Sequence, residues 1–230
     1  MTRFERVFVW VGGALFVGAL AFTAWWYLVR LGRVAPAAGW LPLAADLVVF
    51  TVFALHHSIF ARDGVKQALA RIVPAHVLRS VYVWIASVML ILVCVLWRTV
   101  GGEVYHHRGI VAVVHAMVQI AGVWVIALSV RAIDPLELAG IHQAGERGPD
   151  EMLQVGGPYR LVRHPVYFGW ILAVFGAAHM TGDRLAFAIL TTTYLVIAMP
   201  WEERSLEREF GVAYRDYKQH VRWRIVPYVY

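Results

Sequence analysis

The sequence predicts an all-α, polytopic helical membrane protein: four full spans, then a C-terminal hairpin of two short helices and a polar tail helix. Three observations predict it. Of the 230 residues, 60% are hydrophobic and 16% are charged, whereas a soluble domain is about 45–50% apolar and about 25% charged. The apolar residues fall in runs long enough to cross hydrocarbon about 30 Å thick. Lysine and arginine gather in alternate connections, as the positive-inside rule requires.

The first span covers about Val7–Val29. Arg3 and Arg6 precede it in the manner of a signal peptide, but the run is too long for that and no cleavage site follows, so it is expected to be retained. Gly12, Gly13 and Gly18 suit close helix packing, and Trp25, Trp26 and Tyr27 suit an interfacial aromatic belt. The second span, about Leu43–Phe60, carries His56-His57-Ser58 near its end. Val65, Leu69 and Ile72 give helical spacing to the basic connection 61–78, which predicts a short interfacial helix. Ser80–Trp97 and Ile110–Val130 are the third and fourth spans, separated by a polar turn over Gly101–Arg108. Residues 1–130 thus form a four-span bundle. Residues 131–230 form a region facing one side of the membrane, with a helical hairpin over 165–201 and a polar tail over 202–230. The hairpin arms, Pro165–Met180 and Leu185–Trp201, are marginal in length for a crossing.

With the N-terminus inside, 16 of the 21 Lys and Arg residues lie on inside segments; Arg30, Arg33, Arg98, Arg108 and Arg184 lie outside. That bias places both termini, the polar segment 131–163 and the tail on the cytoplasmic face. The net charge of +6 fits such loops, so no nucleic-acid partner is expected, and membrane lipid is. Cys94, the one cysteine, excludes an internal disulfide. No metal site is expected, and the sequence sets no oligomeric state.

Two motifs stand out on the inside face. One is Gly156-Gly157-Pro158-Tyr159-Arg160-Leu161-Val162-Arg163-His164-Pro165-Val166-Tyr167-Phe168-Gly169. The other is Glu202-Glu203-Arg204-Ser205-Leu206 leading to Phe210-Gly211, Tyr214 and Tyr217. Taken singly, the first reads as an interfacial turn with snorkelling arginines and Pro165 opening a helix. The second reads as a helix exit with local ion pairs. Together they resemble the isoprenylcysteine carboxyl methyltransferase and phospholipid methyltransferase superfamily, over about Gln154–Pro227. Phe53-Ala54-Leu55-His56-His57-Ser58, Arg79-Ser80-x-Tyr82 and Asp134-Pro135-Leu136-x-x-x-Gly140-x-x-Gln143 are similar to the nurim-like branch, which includes bacterial methanethiol S-methyltransferases.

The resemblance implies an S-adenosylmethionine-dependent methyltransferase, integral to a bacterial inner membrane, acting on a small or apolar acceptor, above all a methanethiol-like thiol. The absence of a GxGxxG motif agrees with a donor site outside a Rossmann fold. By motif position, Tyr159, His164, Pro165, Val166 and Tyr167 line the donor pocket, and Glu202 holds the donor's α-ammonium by a charge-assisted bond. Gln143, Met152, Leu153 and Gln154 fall where the family supplies further donor contacts. Arg163 pairs with the donor carboxylate, with Glu202 or with Glu203, and is a candidate catalytic residue. Ala198 and Glu203 are candidate acceptor contacts. Prenylcysteine enzymes place an arginine at the position of Ala198, where it is thought to meet the substrate carboxylate, and an alanine has no charge to offer one. A thiol acceptor must lose its proton, and His56 and His57 are candidate bases; the competing reading makes them helix-packing histidines. Isoprenylcysteine carboxyl methylation and phospholipid N-methylation are the alternative activities. More remote ones are a haem-binding redox protein using His56, His57, His115, His164 or His179 and a non-catalytic nurim-like scaffold.

Overall fold

The computed structural model describes residues 1–60, 62–133, 135–141 and 153–230, with the side chains of 63, 75 and 137 set aside. Most of the described residues are helical. In order come α1 (Arg3–Trp25), running into a π-helical turn Trp26–Arg30, then α2 (Trp40–Phe60), α3 (Asp63–Leu69), α4 (Ala75–Leu96), β1 (Glu103–His106), α5 (Gly109–Ile133) and α6 (Pro135–Leu138). A 3₁₀ turn Gly157–Arg160 follows, then α7 (Pro165–Phe175), β2 (His179–Thr181), α8 (Gly182–Phe210) and α9 (Val212–His220). Among the described residues five helical segments are long and apolar enough to cross a membrane by length and composition: Arg3–Arg30, Trp40–Phe60, His76–Leu96, Gly109–Ile133 and Gly182–Phe210. Leu, Val and Trp side chains stand exposed along them, Trp10, Val48, Ile120 and Trp124 among others. Lipid is the environment in which such a surface is stable.

Three local expectations are corrected. The hairpin over 165–201 is not two arms of equal length: α7 has 11 residues and α8 has 29. Hydropathy falls at Glu202, but the backbone remains helical because the polar residues 202–210 are good helix formers and Pro200 does not end the helix. The tail is accordingly not one helix. Its first nine residues continue α8, Gly211 breaks the chain at φ +55°, and α9 begins afresh. The polar turn 101–108 contains a strand, β1, which pairs antiparallel with β2.

The helices fall into two compact units. The first holds Met1–Gly102 and the described part of Asp134–Pro149; the second holds Glu103–Ile133 and the described part of Asp150–Tyr230. In the first, α1 and α2 both pack on α4. Thr2 caps α1 in a capping box with Glu5. Trp84 Nε1 donates to Phe8 O at 3.0 Å, and the buried Asp46 accepts from Arg98 N at 2.7 Å, meeting a main-chain donor just beyond the end of α4. Buried Ser80 donates to Gly140 O at 2.7 Å.

In the second unit α7 lies against α5 so closely that backbones nearly touch. A Cβ built on Gly169 would stand 2.6 Å from Gly122 O, and one on Gly122 would stand 2.5 Å from Ala173 N. Gln119 Nε2 donates to Ala173 O at 2.8 Å across the same contact. Trp170 Nε1 bonds Thr191 Oγ1 of α8 at 2.9 Å, and Thr181 caps α8 by accepting from Arg184 N. The β1–β2 pair therefore sits where α5 and α8 begin. The end of α5, the start of α7 and residues 202–203 of α8 gather at the other end.

Candidate active site

The site grows from three neighbouring turns of chain in the second unit. Pro165 takes the first position of α7, where its missing N–H costs nothing. His164, before it, stands outside the helical region at φ −122° and ψ 65°, as the proline that follows disfavours a helical residue here. The main chain here is stitched to the C-terminal segment: Arg163 N donates to Trp223 O at 2.9 Å and His164 N to Arg224 O at 2.8 Å. Arg163 reinforces the seam through Nη1, which reaches Val221 O and Arg222 O, each at 2.9 Å.

The two adjacent glutamates of α8 are used differently. Glu203 is buried. Its Oε1 accepts from Arg163 Nε at 2.7 Å and its Oε2 lies 3.6 Å from Arg224 Nη2. Of the partners considered for Arg163, the structure pairs it with Glu203. Glu202 leaves 45% of its side chain exposed and accepts a short hydrogen bond from the Tyr167 hydroxyl. His164 stands between the carboxylates, with Nδ1 3.8 Å from Glu202 Oε2 and Nε2 3.4 Å from Glu203 Oε1. Its ring stacks on Tyr167 at 5.1 Å. The result is a half-open carboxylate walled by a phenol and an imidazole, backed by a second carboxylate whose charge is already matched.

A tyrosine cluster supports this corner. Tyr159, Tyr214, Tyr217 and Val221 form a buried group, against which Leu153, Leu206 and Phe210 pack. Tyr217 donates its hydroxyl to Tyr159 O at 2.7 Å. Burial, then the charge of Glu202, pushes the Tyr159 phenol well up. Burial and Glu203 do the same to Tyr214, and burial does it to Tyr217. The hydroxyl of Tyr214 is buried and has no hydrogen-bond partner among the described residues.

Of the residues singled out from sequence, Arg163, His164, Pro165, Tyr167, Glu202 and Glu203 come together here, with Tyr159 behind them. Val166 is half-buried on the first turn of α7, and Ala198 is half-buried one turn before Glu202 on α8. Gln154 is engaged locally: Nε2 donates to Ala132 O at 2.5 Å, satisfying a carbonyl of the last turn of α5, and Oε1 accepts from Gly156 N at 2.9 Å. Gln143 and Met152 lie outside the described residues. His56 and His57 lie in the first unit. His57 Nδ1 is 2.6 Å from Tyr82 OH. His56 rests against Phe60 and Tyr82, and neither of its ring nitrogens has a hydrogen-bond partner among the described residues. Sequence reasoning missed Arg224 and the carbonyls of 221–224. Backbone carbonyls carry no residue signature. Arg224 was one basic residue among six in the tail.

The family model for phospholipid methyltransferases matches residues 110–213, a stretch that contains α5 from its second residue, α7, α8 and every residue of the corner just described except the C-terminal seam and part of α9. Fold and match together define an integral membrane methyltransferase. Methanethiol S-methyltransferase 2 of Bradyrhizobium diazoefficiens is 34% identical over 185 residues, covering 78% of this chain and 71% of that protein. Methanethiol S-methyltransferase of Mycobacterium tuberculosis is 35% identical over 185 residues, covering 78% and 76%. Nurim of Danio rerio is 28% identical over 233 residues, covering 84% and 79%. The chain belongs to the methanethiol S-methyltransferase family. No solved structure matches it.

Proposed function

We propose that the protein transfers the methyl group of S-adenosylmethionine to a small thiol of the methanethiol type. The observation that carries this reading is the unequal use of the two glutamates. Glu203 is matched by Arg163 and Arg224, whereas Glu202 keeps a half-open carboxylate beside tyrosine and histidine rings. A carboxylate so placed suits the α-ammonium of the donor, and electron-rich ring faces suit a sulfonium.

The donor, when bound, supplies an electrophilic methyl on a cationic sulfur. The chain's own part is to hold and orient: Tyr167 fixes Glu202, and the Arg163–Glu203 pair fixes the loop that carries His164. Transfer to a thiolate forms one C–S bond and breaks another in a single displacement, so alignment and exclusion of water are the main demands. Ala198, apolar and one turn from Glu202, suits an acceptor without a carboxylate. The names of the relatives in Bradyrhizobium and Mycobacterium support the thiol. We place both termini in the cytoplasm of a bacterial inner membrane, on the Lys and Arg bias.

The test is a transfer assay with labelled S-adenosylmethionine across methanethiol, longer alkyl thiols, a prenylated cysteine and phosphatidylethanolamine. Methylation of the small thiols, with little of the other two, is expected. Preference for the prenylcysteine or the phospholipid overturns the acceptor assignment. His56→Ala and His57→Ala, each with a pH–rate profile, test whether either supplies the base.

A further inference from the structure

The opposite end of the second unit carries a cluster that the methyl-transfer reading leaves unused. β1 and β2 pair antiparallel with Glu103 opposite Thr181 and His106 opposite His179. In an uninterrupted strand, residues 103 and 106 point to opposite faces. Here the register shifts between Glu103 and Tyr105, and a bulge of this kind re-aims a side chain. It brings Glu103 and His106 to one face, where His179 already stands. Glu103 Oε2 lies 3.4 Å from His179 Nε2, the rings of His106 and His179 are 4.3 Å apart, and one ligand atom from each of the three residues falls within 4.8 Å of the others.

We propose that Glu103, His106 and His179 form a binding site for a divalent transition ion of the zinc type, which clips the strand before α5 to the strand before α8. Two imidazole nitrogens and one carboxylate oxygen are a ligand set that Zn²⁺ accepts, with water in the fourth position. Tetrahedral bonds of about 2.1 Å place ligand atoms roughly 3.4 Å apart. The Glu103–His179 distance already meets this. Bringing in His106 takes a small rotation of an exposed ring. A second observation points the same way. His179 Nε2 is buried and makes no hydrogen bond among the described residues, although it faces the Glu103 carboxylate. A buried nitrogen left so is costly unless it is filled, and a metal ion fills it. Tyr105, His107 and His115 form a separate ring cluster next to it, with His107 and His115 4.8 Å apart, and provide an internal control.

This site is independent of the proposed methyl transfer. Residues 182 to 202 of α8 span about 30 Å at 1.5 Å per residue, so the clip and Glu202 lie at opposite ends of one helix. The experiment uses the full chain in detergent, freed of any histidine tag and treated with chelator. Zn²⁺ is titrated calorimetrically, and Co²⁺ is added as a spectroscopic probe. Expected are one Zn²⁺ per chain, the visible bands of four-coordinate Co²⁺, and a rise in melting temperature with Zn²⁺. In His106→Ala/His179→Ala all three are lost. In Glu103→Gln, which keeps the side-chain shape and guards against a folding defect in the double variant, affinity falls by at least about tenfold. In His107→Ala/His115→Ala all three persist. The proposal is overturned if the natural sequence shows no saturable Zn²⁺ binding. It is equally overturned if the His106/His179 variant binds as well as the parent, or if binding is lost only in the His107/His115 variant.

Discussion

Gly169→Ala is the sharpest probe of how the fold places the site. The added Cβ would stand 2.6 Å from Gly122 O, 2.8 Å from Ile126 Cγ1 and 3.0 Å from Ile126 N. Ordinary contact begins at 3.4 Å, so the helices must part by about 0.8 Å, and two of the three obstacles are backbone that cannot rotate aside. Overpacking of this kind costs about 1–3 kcal/mol, and the better helix propensity of alanine returns about 0.5–1 kcal/mol. The net loss is of order 1 kcal/mol, which for a chain of this size lowers the melting temperature by roughly 2–4 °C. The functional loss is expected to be larger. α7 carries His164 and Tyr167 at its start, and a displacement near 1 Å in an active site costs on the order of 10²-fold in rate. The assay is thermal unfolding followed by tryptophan fluorescence, together with turnover of labelled donor. Gly18→Ala is the control, because its Cβ meets nothing within 4 Å; its stability should be unchanged or raised. A Gly169→Ala protein that melts with the parent and turns over within about twofold of it would refute the claim that the α5–α7 contact positions the site.

Other substitutions separate binding from architecture. Glu202→Ala should abolish donor binding by calorimetry while leaving the melt unchanged, since its carboxylate is half-exposed; unchanged affinity removes Glu202 from the donor site. Glu203→Ala should instead unfold the corner. It strands Arg163, whose side chain is 7% exposed, and breaking a buried pair costs about 3–5 kcal/mol; a near-parental melt contradicts this. Folding raises the phenol pKa of Tyr159, Tyr214 and Tyr217, so their neutral forms contribute stability that is complete below the unfolded value of about 10. That stability is lost as pH climbs above it. The melting temperature should therefore fall on raising pH through 10 to about 11, and Tyr214→Phe/Tyr217→Phe should flatten that slope. An equal slope in the variant places the alkaline transition elsewhere.

The membrane body was legible because long apolar runs have few physical solutions. The two C-terminal motifs were legible because their residue types and spacing are specific, and the structure gathers Arg163, His164, Tyr167 and Glu202 from them. What sequence could not supply were relations made by backbone or by chain reversal. Hydropathy alone bounds a short helix at Leu185–Trp201, yet helix formation does not stop where lipid does, and α8 runs on to Phe210. Strand β1 has four residues, too few for a periodic signal, and its partner follows more than seventy residues later. The three candidate partners of Arg163 were chemically equivalent in sequence. Only the burial of Glu203, and the carbonyls at Val221 and Arg222, single out one of them.

Glu202 and Glu203 are adjacent in sequence but are used differently. Successive residues on a helix point about 100° apart, so the two carboxylates reach opposite edges of the His164 ring and otherwise take different partners. Glu203 turns inward and takes Arg163 and Arg224. That ties residues 163–164 to residues 221–224 through both side chains and main chain. Glu202 turns toward Tyr167 and stays half-open. Were Glu203 apolar, Arg163 would be left without a counter-charge, and the loop holding His164 would lose its anchor. Were Glu202 apolar, the loop would stand but would present no carboxylate. The order of the two residues therefore sets their surroundings: the inward-facing one fixes the frame, and the outward-facing one stays half-exposed beside Tyr167.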